Sequence, residues 1–364
     1  MNLTYRSGFD LPVYDPCAGT FSGAADWGLA GTQDLATVLA QPYRIICVRP
    51  CFNEPHIFGF NPKITVNFEQ FDLVLVSDIE YTSIQEVEKW LARNGVENYL
   101  LALGGQVDTD RFCSDHMVYR YYWASQYTLR DTYIDTSAAV KPYMFDVLLG
   151  ARRPHRDYVM LAMTDQHMLD SSIVTYRDFF TGHQVNDQSQ EFANLFPNTP
   201  LKYPYVSPNL DTTWEVRDQL SNNISCLIPV EIFRRCYYSV ITETLGTGSS
   251  FFFSEKAAKA MFAQRLFVVF SNANYYARLR ELGYATFGSV IDESFDSDAV
   301  DYCRFGKTIE QMKYLAAQDP AQVLAKVQPE LEHNHDQLYQ MIKQTRGQMI
   351  NLLQSRIPKV YWSR

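Results

Sequence analysis

The amino-acid sequence predicts an α/β protein made of two doubly wound domains with parallel sheets, followed by a helical segment. Two observations lead to this fold class. Short apolar runs rich in β-branched residues alternate with amphipathic segments, and such runs are typical of strands buried on both faces of a parallel sheet. The chain also has 364 residues, which is too long for one ordinary core and fits two domains.

The first alternation lies in the N-terminal part of the chain, after about forty residues rich in Gly, Asp and Thr that we predict to be loops around short helices. Buried strands are predicted at YRIICVRP (43–50), FDLVLVSD (71–78) and NYLLALGG (98–105). Between the last two, SIQEVEKWLARN (83–94) has a Ser start with Glu86 three residues later, and Gly95 follows its end. These are the start and stop signals of a helix, so a β-α-β unit is predicted.

A second alternation begins near Lys141. Strands are predicted at KPYMFDVLLG (141–150), SSIVTYRDFF (171–180), YYSVITETL (237–245), FFFS (251–254), RLFVVFS (265–271) and YATFGSVI (284–291). Helices are predicted at DYVMLAMTDQHML (157–169), VEIFRRC (230–236), EKAAKAMFA (255–263) and NYYARLREL (274–282). Residues 181–228 are polar and rich in Pro and Asn, and are predicted to be a long irregular insertion, which in a compact domain is often functional.

These segments predict two Rossmann-like domains, 1–140 and 141–330, that face each other across a cleft. From about Pro320 the chain is predicted to be helical, because apolar residues form a stripe at Leu338, Ile342, Met349 and Leu353. The C-terminal helix, 331–364, is expected to pack back on the first domain. In such folds ligands bind beyond the carboxyl ends of the strands, where the strand order reverses.

Composition narrows the class of protein. The chain is 46% hydrophobic and 20% charged, with a net charge of −9 that argues against a general nucleic-acid binder. No leader pattern and no run of roughly 18 apolar residues is present, so a cytoplasmic protein without a membrane partner is expected. The seven cysteines are scattered and lack a C-x-x-C pair, which favours free thiols over disulfides or a structural zinc site.

A basic turn follows the predicted strand at 141–150. In LLGARRPHRDY, Arg152, Arg153, His155 and Arg156 crowd the connection between a strand and a helix. A helix N-terminus carries the positive end of the helix dipole, and arginines beside it make a site suited to a diphosphate. The alternative is a basic turn that is simply solvated.

Charged residues also stand at two other predicted strand ends. Ser254, Glu255 and Lys256 follow the phenylalanine run, and Thr242 and Glu243 end the preceding strand. A carboxylate in such a place can accept both hydroxyls of a ribose, and a lysine beside it can meet a phosphate. The alternative is that Glu255 only caps the helix dipole and Lys256 is solvated.

These motifs carry a resemblance to a known family. YYSVITETLGTGSSFFFSEKAAKAMFAQRLFVVFSN (237–272) resembles the donor-binding half of GT-B glycosyltransferases, and is similar in particular to the layout of α-1,3-fucosyltransferases. KPYMFDVLLGARRPHRDYV (141–159) and LRELGYATFGSVIDESFDSD (279–298) are similar to glycosyltransferase-like proteins of tailed bacteriophages. The resemblance covers about 141–305, less than half of the chain, and the first 140 residues match only as a Rossmann-like half that would hold the acceptor.

The resemblance implies a role for each residue. Glu255 would bind the ribose of a nucleotide-sugar donor, a UDP-sugar being favoured, and Lys256 would hold the diphosphate together with Arg152, Arg153 and Arg156. Glu243 would contact the sugar or orient Lys256. Ser254 and Thr242, at the same strand ends, complete the predicted donor-binding set. In GT-B enzymes basic side chains and helix N-termini stabilise the leaving diphosphate, so no divalent metal is expected to be essential.

Metal-binding alternatives are present in the sequence. DTD (108–110) and DSD (296–298) have the form that metal-dependent transferases use against a diphosphate, but in an acidic chain solvated loops are the preferred interpretation. HNHD (333–336) and CSDH (113–116) lack a partner cluster at ligand spacing, so no metal site is predicted.

A transferase that inverts the configuration of the sugar needs a general base on the acceptor side. Asp78, Glu80 and Asp26 are the candidates, and Asp78 is preferred because it directly follows a predicted strand. The alternative for Asp78 is a helix cap or a turn residue. The predicted catalytic residues are therefore Asp78 and Glu243.

The acceptor is the least constrained part of the prediction. Tailed phages glycosylate hydroxymethylated bases of their own DNA, so the resemblance suggests 5-hydroxymethylcytosine in double-stranded DNA, with the enzyme in the host cytoplasm. The acid-free stretch 337–364, the aromatic RYYWASQY (120–127) and the 181–228 insertion fit a DNA acceptor. A glycan or protein acceptor, and a catalytically silent sugar-nucleotide or glycan-binding viral protein, remain as alternatives.

Overall fold

The computed structural model describes residues 12–15, 29, 31–48, 66–78, 84–104, 116–119, 140–149, 153–176, 189–197, 228–244, 246–247, 251 and 253–361. Over these ranges the chain is an α/β protein with two sheets, and every strand pair is parallel. The chain forms two compact units, one of residues 1–122 with 341–364 and the other of residues 123–340.

The first unit contains a six-stranded sheet. Its strands are β1 (Val13–Tyr14), β2 (Gly31–Thr32), β3 (Ile45–Val48), β4 (Leu73–Asp78), β5 (Tyr99–Gly104) and β6 (His116–Tyr119), in the order β2-β1-β3-β4-β5-β6. Its helices include α1 (Leu35–Leu39) and α2 (Ile84–Arg93). The predicted β-α-β unit is confirmed as β4-α2-β5, and Gly95 follows α2 with a left-handed φ of 67°.

Alternation along the central strands gives this sheet two buried faces. Ile45 and Cys47 lie in one apolar cluster, and Ile46 and Val48 lie in the other. The second cluster is completed by residues of α2, including Val87 and Leu91. Because side chains alternate across a strand, continuous apolar runs such as IICV need cover on both faces.

The second unit contains a four-stranded sheet. Its strands are β7 (Tyr143–Leu149), β8 (Ser172–Tyr176), β9 (Cys236–Thr242) and β10 (Phe267–Phe270), in the order β10-β9-β7-β8. The described helices that begin in this unit are α3 (Pro154–Asp165), α4 (Ser189–Leu195), α5 (Val230–Arg235), α6 (Glu255–Phe262), α7 (Tyr275–Glu281), α8 (Asp301–Ala316) and α9 (Pro320–Arg356). Since β8 flanks β7 on one side and β9 flanks it on the other, the strand order reverses between β7 and β9.

Two predicted strands of this unit are wrong. Phe251 and Phe253 lie in the connection from β9 to α6, and residues 284–287 have no regular secondary structure and lead into a turn at 288–290. The two sides of β9 are already taken by β7 and β10, so the phenylalanine run has no place beside it. The Phe251 ring packs on Tyr275 at 5.3 Å instead, and the Phe253 ring packs on Tyr284 at 6.0 Å between centroids. A short apolar run shows that a segment is buried but not in which conformation.

The helix α9 has 37 residues, confirming the predicted helix from Pro320. Its residues from Met341 belong to the first unit, where Met349 and Leu353, and Ile357 just after the helix, join the apolar cluster of Ile45 and Cys47. Over the described residues, none of the helices is both long enough and apolar enough to cross a membrane.

The HNHD segment lies inside α9 and binds backbone groups of the second unit. His333 Nε2 lies 2.8 Å from the Gly283 carbonyl and His335 Nδ1 lies 2.9 Å from the Phe262 carbonyl. The Asn334 amide exchanges two hydrogen bonds with the backbone of Ala285. These residues fix α9 to the ends of α6 and α7, which explains the polar run in structural terms.

Candidate functional site

The candidate site lies at the carboxyl ends of β7 and β9, where the strand order of the second unit reverses. Two segments meet there, the first turn of α3 after β7 and the connection from β9 to the first turn of α6. Ligands of open parallel sheets bind at this position, because no helix covers the crevice between the strand ends.

The start of α3 carries Arg153 and Arg156 together with the acidic Asp157, and it has no side-chain cap. Arg153 precedes the helix with extended backbone (φ −152°, ψ 151°), and Pro154 is its first residue. A proline suits this place because its fixed φ matches the helix and its missing N–H would have had no intrahelical partner. The sequence thus starts the helix one residue after Arg153, with the Arg156 side chain in the same turn.

Glu243 lies between these segments and is fully buried. Its carboxylate accepts hydrogen bonds from the Ser254 backbone N–H at 3.2 Å, from the Tyr275 hydroxyl at 2.8 Å, and from the Ser254 hydroxyl. Burial raises the pKa of Glu243, although the Lys256 charge and these hydrogen bonds oppose that rise. The carboxylate therefore fixes the start of α6 from inside the protein.

His155 joins α3 to the end of β9. Its Nε2 lies 2.9 Å from the backbone carbonyl of Glu243, and the Arg156 Nη2 lies 3.5 Å from the same oxygen. Burial lowers the pKa of His155 well below its ordinary value, and the charges of Arg156, Arg153 and Lys256 lower it further. The imidazole is therefore neutral at pH 7, and its Nε2–H donates to the carbonyl.

The ring of His155 also explains a glycine in the connection from β9 to α6. A Cβ at Gly246 would lie 2.5 Å from both Cγ and Cδ2 of the imidazole. That is far inside van der Waals contact, so only a glycine lets this backbone approach the ring. Gly246 and His155 together hold the connection against the first turn of α3.

The first turn of α6 presents the charged pair of the site. Ser254 caps the helix, its hydroxyl accepting from the Lys256 backbone N–H at 3.2 Å. The Lys256 ammonium lies 3.0 Å from Glu255 Oε1, and the two side chains are 21% and 15% exposed. Burial acts to raise the pKa of Glu255, but Lys256 and Lys259 outweigh it, so this pKa lies below its ordinary value. Glu255 is ionised at neutral pH and partly open to solvent.

Most of the predicted donor-binding residues come together here. Arg153, Arg156 and Lys256 all act electrostatically on His155, and Ser254 and Glu255 lie beside Lys256. Thr242 ends β9 and is buried, and among the described residues its hydroxyl has no hydrogen-bond partner. Of the two roles predicted for Glu243, contact with the sugar and orientation of Lys256, its complete burial disfavours the first.

Other predicted residues lie elsewhere or outside the described residues. Asp78 is the last residue of β4 in the first unit, one strand away from the point between β1 and β3 where that sheet reverses its order. Neither the side chain of Asp78 nor residues Arg152, Glu80 and Asp26 belong to the described part. The segments 108–110, 113–115 and 120–127 are outside it as well.

The DSD segment has a structural role. Asp296 accepts the backbone N–H groups of Tyr276 and Ala277 at 3.0 Å and so caps α7. Asp298 pairs with Lys307 at 2.8 Å. Over the part of the chain that the structure describes, no group of three or more His, Cys, Asp or Glu side chains is arranged to hold a metal ion.

Sequence reasoning missed Tyr275 and Gly246 and did not assign His155 a role. The sequence places His155 in the predicted basic turn, but it does not indicate that the side chain is buried. Tyr275 begins the helix that follows β10, and nothing in its spacing indicates a bond to Glu243, which lies 32 residues earlier in the chain. Only the parallel arrangement of β9 and β10 brings the two together.

Comparison with known proteins returned no match: no protein family, no curated protein and no solved structure is significantly similar to this chain. Arg153 and Lys256 are partly exposed, whereas Arg156 is buried and contributes only its charge. These groups, a partly exposed carboxylate and two helix N-termini at one sheet edge can bind an anionic ligand that also carries hydroxyl groups.

Proposed function

We propose that the protein is a glycosyltransferase that binds a nucleoside-diphosphate sugar, with a UDP-sugar favoured, at this site of the second unit. The observation that carries the proposal is the place of Arg153 at the start of α3 and of Lys256 in the first turn of α6, with Glu255 beside Lys256 and the buried Arg156 adding its charge. The GT-B architecture is part of the same proposal, supported by two parallel α/β sheets in one chain.

The cations and the first turn of α3 suit a diphosphate. The N-terminus of a 12-residue helix carries a partial positive charge, and no side chain caps it. Arginine binds phosphate oxygens with two parallel hydrogen bonds, and Lys256 adds a compact charge from the neighbouring helix. Together these groups would stabilise the diphosphate as it leaves the sugar.

Glu255 suits the hydroxyl groups of the same ligand. An ionised carboxylate is an acceptor only, so it favours a partner with hydroxyl donors and disfavours a phosphate. Its position next to Lys256 would place a ribose beside the diphosphate. This pairing of an anion-binding group with a hydroxyl-binding group favours a nucleotide over a simple anion.

For the acceptor side we propose the first unit, with Asp78 as general base if the sugar is inverted and 5-hydroxymethylcytosine in DNA as acceptor. The support is the place of Asp78 at the carboxyl end of β4. A glycan or protein acceptor stands as the second outcome of the same assay.

The experiment is a transfer assay with radiolabelled UDP- and GDP-sugars, with and without DNA containing 5-hydroxymethylcytosine. We expect release of nucleotide and transfer of label to the modified DNA, and equal transfer in the presence of a chelator because the charges of the site come from side chains. Label on a glycan and none on DNA would change the acceptor. Failure to bind any sugar nucleotide in calorimetry would overturn the proposal.

Two single substitutions test the donor-binding role and the catalytic role separately. Glu255→Ala is expected to weaken binding of the nucleotide far more than Asp78→Ala does, whereas Asp78→Ala is expected to slow transfer and leave binding unchanged. Equal nucleotide affinity of the wild type and Glu255→Ala would refute the donor-site assignment. Unchanged transfer by Asp78→Ala would remove Asp78 from the mechanism.

A further inference from the structure

The Lys256 ammonium is fully engaged by the protein itself. It lies 3.0 Å from Glu255 Oε1, 3.2 Å from Thr244 Oγ1 and 3.4 Å from Ser254 Oγ. An ammonium has three N–H donors, so these three oxygen atoms can take all of them. An anion that binds Lys256 must therefore displace at least one of these partners.

Of these three partners, Glu255 is the one that such a displacement destabilises most. Its side chain is only 15% exposed, so a carboxylate left without Lys256 is poorly compensated by water. Separating a partly buried ion pair by removing one partner leaves an uncompensated charge, which is unfavourable. A bare anion also adds a second negative charge beside Glu255. Both effects oppose the binding of phosphate or diphosphate alone.

A ligand with vicinal hydroxyl groups changes this balance. Hydroxyl donors can replace the lysine at the carboxylate of Glu255 while a phosphate of the same ligand replaces the carboxylate at Lys256. Hydrogen bonds to charged groups are stronger than neutral ones, so both halves of the broken pair are compensated. A nucleotide can replace both partners of the ion pair, Lys256 at Glu255 and Glu255 at Lys256. A free phosphate or diphosphate can replace only Glu255 at Lys256, and this difference produces specificity.

We propose that Glu255 is a specificity-determining residue that excludes free inorganic phosphate and diphosphate from the site in favour of nucleoside diphosphates. The inference rests on the proposed function, since it assumes that the site binds a nucleotide. The inference goes beyond the proposed function because it assigns a second role to the Glu255–Lys256 pair, the rejection of an abundant small anion.

The test compares two ligands on the same protein preparations. Binding of UDP and of inorganic pyrophosphate is measured by calorimetry for the wild type and for Glu255→Gln, which keeps the size of the side chain and removes its charge. We expect Glu255→Gln to bind pyrophosphate about fivefold more tightly and UDP about fivefold more weakly, the factor that corresponds to one partly exposed ion pair. The ratio of the two affinities is the quantity that the proposal predicts to change.

The chain offers a matched control in α8. Glu310 pairs with Lys313 at 3.1 Å, nearly the distance of the Glu255–Lys256 pair, but it is far more exposed, at 61%. Glu310→Gln is expected to leave both affinities unchanged. Thermal unfolding of each variant checks that it is folded, and Glu255→Ala replaces Glu255→Gln if the latter is not.

The outcomes separate this inference from the proposed function. A wild type that binds neither ligand overturns both. If the wild type binds UDP, the nucleotide site is retained. If Glu255→Gln then increases the affinity for UDP and for pyrophosphate by the same factor, the inference is overturned, because loss of charge alone explains such an increase. Equal losses for both ligands overturn it as well.

Discussion

The two ends of the four-stranded sheet in the second unit both contain buried charged residues, but they are built differently. At the amino ends, Arg265 bonds to Asp146 at 2.6 Å and to Ser239 at 2.7 Å, and its third nitrogen bonds to backbone carbonyls. Lys141 adds two further bonds to carbonyls of the same region. At the carboxyl ends, Lys256 and Glu255 form a pair that is partly open to solvent.

The two clusters differ in whether a ligand can contact their charged side chains. The Arg265 and Asp146 side chains are 1% and 4% exposed, so no ligand can contact them. The guanidinium also stacks on the Phe233 ring at 4.4 Å. Burial raises the pKa of Cys236, beside this cluster, to about 12, which leaves its thiol protonated and unreactive. A closed charge cluster stabilises the fold, whereas an open one at the switch point is available to a ligand.

The largest expected effect is the loss of stability when the closed cluster of Arg265 and Asp146 is broken. Asp146→Ala leaves Arg265 buried without its carboxylate, and removal of one partner of a buried pair typically costs about 3–5 kcal/mol. We expect the free energy of unfolding in urea to fall by that amount. Glu231→Ala, which removes the exposed pair with Arg234, is the control and should cost at most about 1 kcal/mol. Similar losses for both variants would remove the distinction between closed and exposed pairs.

The next effect concerns the packing that holds the open site together. Gly246→Ala places a Cβ 2.5 Å from the His155 ring, and overpacking of this kind usually costs about 1–3 kcal/mol. We expect lower stability in thermal unfolding and weaker nucleotide binding, because the connection must move away from α3. In the control Gly347→Ala, the new Cβ meets no atom within 4 Å inside α9, so stability should be equal or higher. A Gly246→Ala variant of unchanged stability and affinity would contradict the predicted contact.

Removing the open cation should affect binding without affecting the fold. Lys256→Ala is expected to weaken UDP binding at least about tenfold, since hydrogen bonds to charged groups contribute about 1.5–3 kcal/mol. Its free energy of unfolding should fall by at most about 1 kcal/mol, because the partly exposed Glu255 loses its ion-pair partner. Lys313→Ala, from the exposed pair in α8, should change neither quantity. Unchanged affinity in the Lys256 variant would exclude this lysine from the anion site.

The smallest expected effect is a dependence of stability on pH. The folded protein keeps His155 neutral, with its pKa below the ordinary 6.5, so the unfolded chain binds a proton more readily. Stability from this residue is therefore complete above pH 6.5 and is lost as pH falls, by at most about 1.4 kcal/mol per pH unit. Glu243 and Asp146, whose pKa values burial raises, act in the opposite direction.

The measurement isolates the histidine by difference. Urea unfolding between pH 5 and 8 is compared for the wild type and His155→Gln, whose amide can still donate to the Glu243 carbonyl. We expect the wild type to lose more stability than the variant on acidification. Parallel pH profiles would show that His155 is protonated equally in the folded and unfolded protein.

The regular elements near the site follow from local patterns. The strands β7, β9 and β10 and the helices α3 and α6 lie within or overlap their predicted segments. Each has a continuous apolar run or a helical spacing of apolar residues, and the start of α6 is marked by Ser254 as a capping residue. The helix α8 has no predicted counterpart, although it contributes Arg304, Phe305 and other buried residues to the unit.

By itself, the sequence determined the α/β class, the parallel strands and the presence of Arg153, Arg156, Glu255 and Lys256 at segment ends, because these depend on spacing along the chain. The tertiary structure decided what those ends do. The strand order brought β7 beside β9, which buried Glu243, bonded it to Tyr275 and pressed Gly246 against His155. Local patterns contain no information on such contacts, since strands far apart in sequence become neighbours only when the sheet forms.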